Sequence, residues 1–248
     1  MSILRFLSAP LTVFLLAVPA YADLLTFSSR PAFDATAPGL PIETFEAGLT
    51  APLLVTCPSP VSSSAASACF PLGALLPGVV YTASGAANTQ LNVLGARFGP
   101  PQQNWDNSSK IFGPNNSLAT LNVTFTTGVS AVGFDAFPGP LPGNIAISLF
   151  DPSNDLLGRS IIPASVGANF FGVVSTTGLI GRVNIEGQTE LAPFEAIDNL
   201  AFGTTSVPEP SLLLLFAVGL AIIVGLGVLR SCDIVVKGAT QLRVRDSA

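Results

Sequence analysis

Between residues 23 and 206 the hydrophobic positions come in short stretches, many alternating with polar residues, and Gly, Pro, Asn or Asp closes most of them. Alternation at period two sends successive side chains to opposite faces of an extended strand, so it marks strands with one buried face. Ten segments fit: 24–27, 42–45, 79–82, 91–94, 119–125, 131–137, 145–150, 170–174, 180–186 and 197–202. They are rich in Val, Ile, Phe and Thr, which suit a pleated sheet. Leu121, Val123 and Phe125 alternate with Asn122 and Thr124, so the first three are expected in the core and the other two toward water. Only residues 30–37 suggest a helix. Short strands separated by turn signals such as Asp151-Pro152-Ser153-Asn154-Asp155 predict an all-β domain built as an antiparallel β-sandwich.

The two ends have a different pattern. Arg5 precedes an apolar run over 6–18, and Pro19-Ala20-Tyr21-Ala22 follows it. A positive start, a short apolar run and small residues at Ala20 and Ala22 make a secretory signal peptide over 1–22, cut by signal peptidase to leave Asp23 first. An uncleaved anchor is the other reading, but the run is short for a bilayer core of ~30 Å. Residues 212–229 contain no charge and only apolar residues and Gly. As a helix they would extend about 27 Å, enough for a single transmembrane span. The competing reading, a buried core helix, sits poorly with the terminal position. Residues 231–248 form a tail; counted from Arg230, four basic residues stand against two acidic ones, a sign that fits the cytoplasmic side.

Charge and residue usage narrow the function of the central domain. It carries 12 acidic and 5 basic side chains within a chain of net charge −5, which speaks against a nucleic-acid partner. The chain has no His, so Ser-His-Asp catalysis and His-bearing metal sites are out. No Gly-x-Ser-x-Gly elbow or phosphate-binding Gly-rich loop occurs, and the domain has one Lys, Lys110. No catalytic residue stands out. The enzyme class left open is a glycoside hydrolase working from two carboxylates. Cys57 and Cys69, twelve apart in the exported region, are expected to form a disulfide; metal binding by the pair would need further soft ligands. Trp105 lies in the amide-rich loop Gln102-Gln103-Asn104-Trp105-Asp106-Asn107, suitable for stacking on a sugar, though a lone Trp also serves as a core plug or loop anchor.

Val207-Pro208-Glu209-Pro210-Ser211, followed by the apolar run 212–229 and Arg230, resembles the PEP-CTERM sorting signal of Gram-negative bacteria. The two prolines hold Glu209 in an extended, accessible segment. The resemblance covers residues 207–230 and implies an exosortase as partner, with transient membrane anchoring followed by release to the cell surface or biofilm matrix. Here 18 residues follow Arg230, where the family ends within a few residues of a basic cluster. Segments 170–174, 179–185 and 194–202 also resemble the closing strands of jelly-roll, galactose-binding-like modules. In carbohydrate-binding modules of this kind an early Phe-Glu and a late Ile-Asp-Asn meet at a structural calcium. Phe45-Glu46 and Ile197-Asp198-Asn199 match that pattern. The resemblance therefore implies Glu46 and Asp198 as calcium ligands, with Glu43 or Glu195 as helpers; the alternative leaves these acids on solvated strand ends. No other cofactor is required. The expectation is an exported, non-enzymatic protein, structural or associated with exopolysaccharide. The alternatives are a carboxylate glycoside hydrolase and an unprocessed single-pass membrane protein.

Overall fold

The computed structural model describes residues 24–50, 53–86, 88–99, 105–139, 143–164, 166–187 and 195–205. All belong to one unit that ends at Thr205. Ala20, Ala22 and Asp23 of the expected cleavage site, the motif Val207 to Ser211, the run 212–229, Arg230 and the tail lie outside the described residues. Among the described residues no helix is long and apolar enough to cross a membrane.

The chain forms β1 (Leu24–Phe27), α1 (Arg30–Thr36), β2 (Ile42–Glu43), β3 (Leu54–Cys57), β4 (Val61–Ser62), β5 (Val79–Ser84), β6 (Leu91–Leu94) and β7 (Ile111–Pro114). It continues through β8 (Thr120–Val129), β9 (Ala131–Phe137), β10 (Gly143–Phe150), β11 (Leu156–Ala164), β12 (Asn169–Ser175), β13 (Ile180–Gly187) and β14 (Ala196–Gly203). These strands make an antiparallel β-sandwich. The larger sheet runs β1-β12-β9-β14-β7-β6-β3, with β2 also on β14; the smaller runs β11-β10-β13-β8-β5-β4. The pairings β10–β11, β9–β12, β8–β13 and β7–β14 are nested, so residues from β7 to β14 form one long antiparallel hairpin folded across both sheets.

Alternation decides which side chains fill the space between the sheets. Leu121 and Val123 of β8, Ile145 and Ile147 of β10, and Val183 and Ile185 of β13 meet Phe112, Val132, Phe134, Val173 and Ile197 from the larger sheet. Asn122 departs from expectation. It is buried, because its amide donates to Ser84 Oγ and to the carbonyls of Thr82 and Thr120, which replace the water the pattern predicted. Cys57 and Cys69 form a disulfide with Cα atoms 5.6 Å apart, and both are fully buried.

The outer face of the larger sheet is covered as well. Gly133 of β9 and Gly172 of β12 lie opposite each other in register, and Phe33 of α1 lies flat against both. A Cβ at either glycine would approach the Phe33 ring to 2.8 or 2.7 Å, closer than side-chain carbons come in folded proteins. Two missing side chains thus make the slot that seats α1. Pro31 in the first turn of α1 supplies a helical φ where no backbone donor is needed.

A polar cluster as candidate functional site

Ile197 of β14 and Phe134 and Ala136 of β9 face the core, so their neighbours Asp198 and Asp135 face outward. Because β9 pairs with β14, these two aspartates stand directly opposite each other. Asn199, in a bulge of β14 with φ +50°, bridges them. Its side-chain amide donates to Asp135 Oδ2 at 2.9 Å and to Asp198 Oδ2 at 3.3 Å. Asn tolerates this left-handed conformation better than most residues. Arg30, the first residue of α1, pairs with Asp135 at 3.2 Å, donates to the Asn199 carbonyl at 2.8 Å and stacks over Phe170 at 4.7 Å.

The other half of the cluster comes from the turn after β2. Phe45 has φ +55°, a strained conformation for a bulky residue. Glu43 holds it there. Its carboxylate accepts from the amides of Phe45 at 3.0 Å and Leu76 at 2.6 Å, while the Phe45 ring stacks on Phe112 with centroids 5.2 Å apart. The turn leaves Glu46 exposed beside Ser109 and Lys110. Glu46 Oε1 accepts from the Lys110 amide at 2.8 Å, and Ser109 Oγ donates to Asp198 Oδ2 at 2.5 Å. The Lys110 ammonium donates to the carbonyls of Glu46 at 2.6 Å and Gly48 at 2.9 Å.

Glu46 and Asp198 are therefore brought to adjacent residues of one segment, although they lie 152 positions apart in sequence. The expected helpers are not. Glu43 is a buried staple for two backbone amides, and Glu195 is fully buried. Trp105 is 5% exposed and packs with Leu94, Ile111, Phe137 and Ala196, edge-on to Phe98. It anchors its loop to the outer face of the larger sheet and presents no open platform, because an apolar patch beneath the loop outweighs the loop's polar composition. Arg30, Ser109, Lys110 and Asp135 have no site role in the sequence reading, and Asn199 enters it only within the Ile197-Asp198-Asn199 pattern. The outward parity of Asp135 was available there, but its apposition to Asp198 depends on strand order.

The donor set does not fit the calcium that the carbohydrate-binding resemblance implies. Calcium takes six to eight oxygens at roughly 2.3–2.6 Å. Here Asp198 accepts from Ser109 and, through Oδ1, from the Asn199 amide, Glu46 accepts from Lys110, and the turn carbonyls face an ammonium. Among the described residues no three His, Cys, Asp or Glu side chains are placed to hold a metal ion.

Burial pushes the Asp198 carboxyl up to about 6; the bonds from Ser109 and the Asn199 amide oppose this, and the charges of Asp135 and Glu46 add to it. The folded protein therefore keeps a proton on Asp198 between about pH 4 and pH 6 that the unfolded chain has lost. Stability contributed by this group falls as pH rises through that window and is flat above it. Glu195, pushed well above the ordinary carboxylate range chiefly by burial, acts in the same sense. Urea unfolding at pH 5 and pH 7 should show Asp198→Asn losing much of the wild-type decline between the two. Parallel pH profiles for the two proteins would overturn the assignment.

No family model matches the chain, and no curated protein matches it. Several solved structures show partial likeness, among them the following two. The enzymatically active domain of tailspike protein 4 of bacteriophage CBA120 aligns with 51% of this chain at 17% identity and a TM-score of 0.30. The chain spans only 19% of that protein's length. A mutant of a family 29 carbohydrate-binding module aligns with 54% of this chain and 99% of its own, at 13% identity and a TM-score of 0.26.

Proposed function

We propose that this is an exported surface or matrix protein, sorted by an exosortase, whose jelly-roll-like β-sandwich is a non-catalytic structural or exopolysaccharide-associated body. One observation carries the reading: the described sandwich occupies the interval between the two terminal signals. Its first strand begins at Leu24, one residue after the expected new N-terminus Asp23, and its last strand ends at Gly203, four residues before Val207. The Cys57–Cys69 disulfide suits an oxidising exterior. The nested pairing of β7 to β14 supports the jelly-roll description.

Intact-mass analysis tests the proposal in an exosortase-positive host and its exosortase-null counterpart. The expected product begins at Asp23 in both hosts and loses everything beyond the Val207 to Pro210 region only where the exosortase is present. Retention of residues 212–248 in both would leave a single-pass membrane protein and overturn the sorting reading. Within the cluster, Asp198 is a poor carboxylate for the glycoside-hydrolase alternative, because it is 1% exposed and both of its oxygens are engaged. Release of reducing sugar that disappears in Asp135→Asn would establish that alternative.

A further inference from the structure

We infer that residues 24–36 form a hinged strap that opens and closes as one unit over a sandwich that stays folded, with Arg30 as its latch. The core between the two sheets takes no fully buried side chain from this segment; Leu24 packs against its margin only. Phe33 is wholly buried, but it lies on the outer face of the larger sheet, against Gly133 and Gly172. Lifting the strap therefore leaves the core between the sheets in place. The six register pairs of β12 with β9 remain as well. What opens is local: the four register pairs of β1 with β12, the seat of Phe33, and the reach of Leu24 to the edge strand β11, where a Cβ on Gly158 would come within 2.7 Å of Leu24 Cδ1. A segment at a sheet edge with so few buried apolar contacts opens at a lower free energy than the whole domain.

The hinge is bounded on both sides. The Ala37 amide donates to the Phe33 carbonyl at 2.8 Å and ends α1. Leu40 and Pro41 are fastened to β14: the Phe202 amide donates to the Pro41 carbonyl at 3.4 Å, and a Cβ on Gly203 would lie 2.9 Å from Leu40 Cδ2. Between these anchors stands Gly39, with φ +75° and open space where a Cβ would be, so rotation of the backbone there meets no obstacle. Arg30 ties the strap to three neighbouring strands. Its Nη2 lies 3.2 Å from Asp135 Oδ2 of β9 and donates to the Asn199 carbonyl of β14 at 2.8 Å, and its guanidinium lies 4.7 Å from the ring centre of Phe170 of β12. All three contacts break when the strap lifts. The Asn199 bridge between Asp135 and Asp198 belongs to the body and does not need the strap. This inference concerns the described residues alone and does not depend on export or sorting.

Native-state hydrogen exchange on the full-length protein, read by mass spectrometry, tests the strap. The protected amides of residues 24–37 should exchange together, about 100-fold faster than those of β8 and β13 and with little dependence on urea. Arg30→Ala should raise strap exchange by about tenfold and leave β8 and β13 as they were. Asp135→Asn should act in the same direction with a smaller effect, because the Asn199 carbonyl and Phe170 still hold Arg30. A disulfide formed after Leu25→Cys and Val174→Cys, two positions directly opposite in register, should hold the strap shut and slow its exchange to that of the sandwich. Three results would overturn the proposal: residues 24–37 exchanging with the rate and urea dependence of β8 and β13, every segment accelerating alike in Arg30→Ala, or β1 exchanging while α1 stays protected.

Discussion

Replacing Phe33 by Ala should destabilise the domain by about 3–5 kcal/mol, the range for removing a fully buried aromatic ring. Phe33 is wholly buried although it belongs to a helix of two turns, and it is the only residue of α1 itself that is buried. Its ring touches Phe27 edge-on at 5.9 Å and Phe170 at 5.7 Å, and lies on the slot made by Gly133 and Gly172. Without it, α1 loses its seat and Arg30 loses the base from which it reaches Asp135. The reciprocal change is informative. Gly133→Ala should destabilise the wild type but cost far less in the Phe33→Ala background, because the new methyl then meets an empty slot. Urea unfolding of the four proteins closes the cycle; additive losses would show that the ring and the glycines do not constrain each other.

The second large effect is loss of the disulfide. Cys57→Ser with Cys69→Ser, or reduction of the wild type, should lower stability by about 3 kcal/mol, the chain-entropy value for so short a loop. The two cysteines hold the end of the edge strand β3 to the segment carrying Phe70, and Phe70 packs edge-on against Phe112 at 5.4 Å. The loss should therefore appear as a lower denaturation midpoint for the whole domain. A change confined to residues 57–69 in hydrogen exchange, with the midpoint unmoved, would mean the crosslink only tethers a loop.

All ten segments marked by alternation contain strands, and the helix lies where residues 30–37 suggested it. What the pattern missed has a separate physical cause in each case. β11 is a nine-residue edge strand interrupted by Gly158, Arg159, Ser160 and Pro163; at an edge, one side of the strand needs no partner, so Pro and charge are tolerated and alternation is lost. β7 reads Ile-Phe-Gly-Pro, and its Gly113 packs against the Glu195 carbonyl, a contact that leaves no room for any side chain and that only the fold reveals. β3 and β4 are short strands in a Pro- and Ser-rich region.

The candidate site was legible in part. Glu46 and Asp198 do converge, because carboxylates at the ends of an early turn and the last strand are brought together by strand order. The residues that answer them, Ser109 and Lys110, sit in a loop with no periodicity, and the left-handed backbone at Phe45 and Asn199 leaves no mark in composition. Of the two readings open for Trp105, sugar stacking and loop anchor, its burial matches the second. Its neighbours are polar, but the sheet face below it is apolar, and a large ring follows the surface it can cover more than the sequence beside it.

Strand order also sets how the body would carry load. A pull at Thr205 enters through β14, which is hydrogen-bonded to β9 on one flank and to β7 and β2 on the other, so both rows must shear together before the strand moves. A pull at Leu24 enters through β1, which among the described strands is hydrogen-bonded to β12 by four register pairs, and peels them one after another. The domain is thus mechanically polar, stiff at its C-terminal end and soft at its N-terminal end.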